Sequence, residues 1–231
     1  MRHLLATLLV LALGTAPAAA LPVNASFTGS LGQDDAVAWF SFTTDGIAPV
    51  TLVTWSYAGG TNAAGEAIAR GGFDPTVALF DSAGLLVAQN DDGGADVPAD
   101  SVTGATFDSY LAILLAPGDY TVALTVFDNE ALGPALANGF LRTGQPGFTT
   151  AFGCPDAQAT FNDVSGVPGC GRTGAFALDI LGVDAAAIPE PASLALLAPA
   201  LLALGLRRRR SQCPAREVRP ASDERSGQAG H

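Results

Sequence analysis

Residues 21–187 repeat one local pattern, and it limits what the chain can fold into: short runs of β-branched and aromatic residues, each closed by turn residues, with no helical period. In residues 36–42 an extended chain puts Val37 and Trp39 on one face and Phe40 and Phe42 on the other, because successive side chains alternate. Residues 50–57, 76–80, 85–88, 109–114, 120–126 and 174–180 continue the series. Asp81-Ser82-Ala83-Gly84 and Pro117-Gly118-Asp119 punctuate it with residues that favour tight turns. Seven such strands predict an all-β body, an antiparallel β-sandwich of jelly-roll-like form. The high alanine content favours helix locally, but no apolar stripe accompanies it.

At 167 residues this body is long enough for one domain with a sizeable core. It carries 18 acidic residues against three arginines (Arg70, Arg142, Arg172) and no lysine, a net charge of −15. Such a surface excludes nucleic acid, whose binding needs basic neutralising contacts, and it is receptive to cations. The body holds two cysteines, Cys154 and Cys170, separated by a Gly/Pro/Asp-rich stretch. They are expected to form a disulfide, as in exported proteins. A metal pair would lack histidine support, since His3 and His231 are both outside the body.

The two ends agree with export. Residues 1–20 show a basic start (Arg2, His3), an apolar run over residues 4–13 and Ala18-Ala19-Ala20, the layout of a cleaved signal peptide read by the Sec translocon. Near the other end, Pro189-Glu190-Pro191 precedes an uncharged run over residues 192–206, followed by Arg207, Arg208, Arg209 and Arg210. As a helix those 15 residues span about 22 Å, short of a hydrocarbon core of about 30 Å. The arginine cluster decides for a transmembrane segment, because basic side chains snorkel and mark the cytoplasmic flank. Residues 211–231 are polar and mixed in charge, and read as a disordered cytoplasmic tail.

The ordered trio of Pro-Glu-Pro, apolar run and arginines resembles the PEP-CTERM sorting signal, here residues 188–210. The resemblance implies transient anchoring in the inner membrane and recognition by an exosortase-type transpeptidase. Cell-surface or extracellular release, in association with exopolysaccharide, would follow. Within the body, Asp74-Pro75, the paired strands after it and Asn90-Asp91-Asp92 are similar to the core of bacterial pre-peptidase C-terminal-like domains. With the Gly118-Asp119-Tyr120 strand, Asp34-Asp35 and Phe127-Asp128-Asn129, the chain resembles a DVUA-type subfamily of PEP-CTERM proteins over residues 26–140. That family implies a β-sandwich and no catalytic assignment.

The acidic loop is the candidate site. Asp74, Asn90, Asp91, Asp92, Asp96 and Asp100 offer oxygen ligands suited to calcium. The spacing is not that of an EF-hand, and turn aspartates bonding locally to the backbone are the competing reading. Catalytic groups are scarce, because the body has no histidine or lysine and its two cysteines are expected to be paired. Glu66 and Glu130 could in principle form a glycosidase pair, but a solvated surface position suits them better. Trp39, Trp55, Tyr57, Tyr110 and Tyr120 could stack on sugar rings, although aromatics on sandwich strands usually belong to the core. The expected function is a non-enzymatic exported surface or matrix protein. A calcium-stabilised carbohydrate-binding module is the alternative.

Overall fold

The computed structural model describes residues 22–46 and 48–184. The expected signal peptide, the residues Pro189, Glu190, Pro191 and Arg207 to Arg210, and the expected transmembrane segment and tail lie outside the described residues. Among the described residues no helix is long and apolar enough to cross a membrane.

Ten strands form: β1 (Pro22–Ser30), β2 (Ala38–Thr44), β3 (Val50–Thr54), β4 (Gly60–Thr61), β5 (Ala67–Ile68), β6 (Pro75–Asp81), β7 (Leu86–Asn90), β8 (Tyr110–Ile113), β9 (Gly118–Val126) and β10 (Ala175–Asp184). Eight of them build two antiparallel sheets, ordered β1-β10-β3-β8 and β2-β9-β6-β7, while β4 and β5 make a separate hairpin. All seven expected strands are present. β1 was not foreseen, because its sequence is half polar, as suits an edge strand with one wet face. The hairpin β4–β5 occupies the small-residue stretch ahead of Gly71-Gly72.

The sheets pack face to face as a β-sandwich, and alternation selects the core. Val50 and Leu52 of β3 and Leu178 and Ile180 of β10 meet Val77 and Leu79 of β6 and Val122, Leu124 and Val126 of β9. Phe42 and Tyr120, opposite one another on β2 and β9, stack with centroids 5.5 Å apart. The other face of the second sheet is also covered. Phe80 and Ala78 on β6 and Ala123 on β9 lie under Phe140, with Leu136 and Ala131 beside it. This second cover explains why β6 reads as an unbroken apolar run, since both of its faces are dry.

Pairing gathers the long connections at one end. Ser30 lies opposite Ala175, Val53 opposite Tyr110, Pro75 opposite Val126 and Val77 opposite Asn90. Segments 31–37, 55–74, 91–109 and 127–174 therefore leave the sandwich together, whereas 45–49, 82–85 and 114–117 turn back at the far end. The backbone approach at the loop end is close. A Cβ on Gly72 would sit 2.1 Å from the Ala175 carbonyl oxygen, so no larger residue fits there.

Candidate functional site

The loop end is built around buried carboxylates, and most have a defined partner. Asp100 accepts two hydrogen bonds from Arg70, at 2.8 Å from Nε and 3.1 Å from Nη2. It also accepts the amides of Val102 (2.9 Å) and Thr103 (2.8 Å). Arg172, wholly buried, donates through Nε to Asp163 (2.7 Å) and through Nη1 to the Tyr57 carbonyl (3.2 Å), with Asp100 at 3.4 Å. Its guanidinium lies 3.5 Å from the centroid of the Tyr57 ring. Burial alone would lift the Asp100 carboxyl. The Arg70 hydrogen bond, the two amides and the Arg172 charge outweigh it and hold that carboxyl well below the usual range. Burial pushes the Tyr57 phenol above its ordinary value.

Two further aspartates act as loop anchors. Asp108 accepts the amides of Ser56 (2.6 Å), Tyr57 (3.1 Å) and Ala58 (2.8 Å) and the Thr54 hydroxyl (2.9 Å). Burial raises its pKa, and these donors pull the other way. Asp34 accepts the Gly147 amide (2.6 Å) and both the amide (2.9 Å) and hydroxyl (2.8 Å) of Thr149. These side chain to backbone bonds are not the local ones that turn aspartates favour, because they reach across 50 to 52 residues from Asp108 and 113 to 115 from Asp34.

The six candidate calcium residues are not gathered into one set. Asp100 belongs to the arginines, and Asp96 is exposed on the short 3-10 turn Gly94–Asp96. Asn90 is engaged in the fold, its Oδ1 accepting the Tyr110 amide (3.1 Å) and its Nδ2 donating to the Asp92 carbonyl (3.1 Å). Asp92 is exposed and Asp91 half-buried. Partial desolvation of its carboxyl, exposed though the residue is, raises the Asp92 pKa, with the Asp91 charge adding to it. Asp74 is only 3% exposed, and its Oδ1 has no hydrogen-bond partner. Its pKa is driven well up by burial and then by the like charges of Asp92, Asp163, Asp91 and Asp108.

Cys154 and Cys170 are joined in a disulfide, with Cα atoms 5.8 Å apart. Asp156 Oδ1 lies 3.1 Å from one sulfur and 3.0 Å from the other, and Oδ2 accepts the Gly169 amide at 3.0 Å. Among the described residues, this is the one trio of cysteine or carboxylate groups close enough to share a metal ion. With both sulfurs bonded to each other neither is a thiolate, so the trio supplies no ligand set in this state.

The five aromatics do not form a platform. Tyr57 and Tyr120 are buried, and Trp55 donates from Nε1 to Asp179 at 2.7 Å. Trp39 stands apart at 49% exposure on the outer face of β2, edge-on to Phe140 at 5.7 Å. Glu66 closes a small turn, accepting from Asn62 Nδ2 at 3.0 Å. The residues unforeseen as functional are Arg70 and Arg172. Their one sequence signal was being two of only three cations in so acidic a body.

No protein-family model matches the chain, and no curated protein matches it either.

Proposed function

We propose that this chain is a non-enzymatic surface or extracellular-matrix protein, exported through the Sec translocon and handed to a PEP-CTERM/exosortase-type transpeptidase. The observation that carries the reading is the order Pro189-Glu190-Pro191, uncharged run, Arg207 to Arg210. The Cys154–Cys170 bond supports it, because disulfides persist in oxidising compartments and are rare in the cytosol. The strand orders β1-β10-β3-β8 and β2-β9-β6-β7 support a jelly-roll body, in which eight strands wrap as two Greek keys. Carboxylates at the loop end are mostly spent on arginines and backbone amides, as expected of a scaffold more than of acid–base machinery. Association with exopolysaccharide is part of the proposal.

The test replaces Pro189-Glu190-Pro191 by three alanines in the native cell. The expected result is retention of the body in the inner membrane, with the unaltered chain found at the surface or in the medium. Equal release of both would overturn the sorting role.

A second reading, a carbohydrate-binding module, is favoured by Trp39 alone: an indole half-exposed beside Phe140 is a face on which a sugar ring can stack. Polysaccharide pull-down separates the readings. Binding that disappears in Trp39→Ala selects the module, and binding unchanged by it rejects Trp39 as the contact.

A further inference from the structure

The body has no histidine to complete a metal site around its cysteine pair, but the fold brings a carboxylate there instead. Asp156 Oδ1 meets both sulfurs, at 3.1 Å from Cys154 and 3.0 Å from Cys170. A disulfide has no proton to give that oxygen. Among the described residues no N–H or O–H group donates to it either, whereas Oδ2 accepts the Gly169 amide. The carboxylate is thus aimed at the sulfurs with no hydrogen bond to account for its direction.

Contacts other than the S–S bond hold the three residues in place. The Cys170 amide donates to the Val167 carbonyl at 3.3 Å, and its own carbonyl accepts the Asp163 amide at 3.0 Å. The Asp156 carbonyl accepts Gln158 Nε2 at 3.0 Å and packs tightly on the next residue of the other strand: a Cβ on Gly171 would sit 2.5 Å from it. Cys154 follows the 3-10 turn Phe148–Phe152, which Asp34 anchors through the amide and hydroxyl of Thr149. Opening the bond leaves all of these intact.

We propose that Cys154, Asp156 and Cys170, once the cysteines are reduced, form a binding site for a divalent cation of the zinc type. A dithiol reductant supplies two electrons and two protons, breaks the S–S bond and becomes a disulfide itself. The metal then replaces the two thiol protons, which pass to solvent. Zinc takes thiolate sulfur at about 2.3 Å and carboxylate oxygen at about 2.0–2.2 Å. Tetrahedral angles at those lengths part the two sulfurs by about 3.8 Å, which rotation of the side chains reaches with the Cα atoms 5.8 Å apart. Three protein ligands leave a fourth position, and the exposure of Asp156 opens it to water. Two sulfurs among three ligands exclude hard ions such as magnesium. Oxidation and metal binding compete for the same sulfurs, so the ion is lost when the disulfide forms. The site belongs to the chain before oxidation and does not depend on the export reading.

The test uses the full chain carrying Cys213→Ser, which leaves Cys154 and Cys170 as its only thiols. It is reduced with a phosphine, stripped of metal and titrated with cobalt(II), a spectroscopic stand-in for zinc. One equivalent should bring up thiolate-to-cobalt charge-transfer absorption and the d–d bands of a four-coordinate ion, and zinc should abolish both. Zinc should also raise the thermal midpoint of the reduced chain by mass action, and magnesium at equal concentration should not. The oxidised chain should show neither response. Asp156→Asn should re-form its disulfide in air, showing that its cysteines still meet. It should bind cobalt at least about tenfold more weakly, because even outer-shell partners of a metal are worth about 10–100-fold. Asp119→Asn, at the start of β9, should bind as its parent does. Absence of the charge-transfer absorption, or of the zinc-dependent rise, in the reduced parent would overturn the site whatever the variants do. So would an equal response from the oxidised chain, or undiminished cobalt binding in Asp156→Asn.

Discussion

Arg172 lies over the ring of Tyr57, its guanidinium carbon 3.5 Å from the ring centroid, while its Nε is bonded to Asp163. This contact joins three loops at one end of the sandwich: the segment after β3, the acidic loop that carries Asp100, and the disulfide-closed segment before β10. A buried guanidinium needs its charge neutralised and its planar donors occupied. Two carboxylates, one backbone carbonyl and one aromatic face supply most of that. The loop end is therefore ordered by charge pairing where the rest of the body is ordered by apolar burial.

Arg172→Met should cost about 3–5 kcal/mol, because it keeps the apolar stem but leaves Asp163 buried without its cation. Urea unfolding at neutral pH measures the difference. A loss under about 1 kcal/mol would assign the network to packing alone.

Reduction should also lower stability. Opening the Cys154–Cys170 bond, with a sequence separation of 16, should remove roughly 3 kcal/mol on the chain-entropy account. For a body of this size that is a fall of about 6–12 °C in the thermal midpoint. Cys154→Ser/Cys170→Ser should match the reduced protein, and an unchanged midpoint in reductant would contradict the structural role of the bond.

The pH dependence of Asp100→Asn has a definite sign. The folded state holds the Asp100 carboxyl well below its ordinary value, so on acidification the unfolded chain takes up that proton first. The stabilisation is complete above the unfolded value of about 3.9 and disappears as pH falls through the lower folded value. Asp100→Asn should therefore be destabilising at pH 7, and the gap to wild type should narrow below about pH 4. Denaturant midpoints across that window check it, and a gap of constant size would contradict the assignment.

Phe140→Ala should cost about 3–5 kcal/mol by uncovering Phe80 and Ala78 on the outer face of β6. Limited proteolysis should then cut first within residues 128–142, while the inner core stays protected. Cleavage unchanged from wild type would show that the cover contributes little.

Strand content was legible wherever burial imposes alternation. Val37 and Trp39 do face away from Phe40 and Phe42, the first pair toward the Phe140 cover and the second toward the inner core. β1 escaped notice because Asn24, Ser26, Thr28 and Ser30 make one of its sides wholly polar, and its identity depends on pairing with β10 more than 140 residues away. The loop-end carboxylates were legible as an excess of aspartate, but not as a division of labour. Asp100 finds Arg70 at a separation of 30 residues and Arg172 at 72, and no local pattern encodes either distance. The unpartnered Asp74 Oδ1 is likewise a property of folding, since only the assembled loops show that Arg70, Arg142 and Arg172 pair with other aspartates.

The most direct measurement for the account as a whole is intact-mass spectrometry of the protein recovered from its native cells without reductant. The account predicts a chain trimmed near Ala20 and near Pro189-Glu190-Pro191, two mass units lighter than the reduced form because Cys154 and Cys170 are joined. A cytoplasmic chain of full length with free thiols would contradict it.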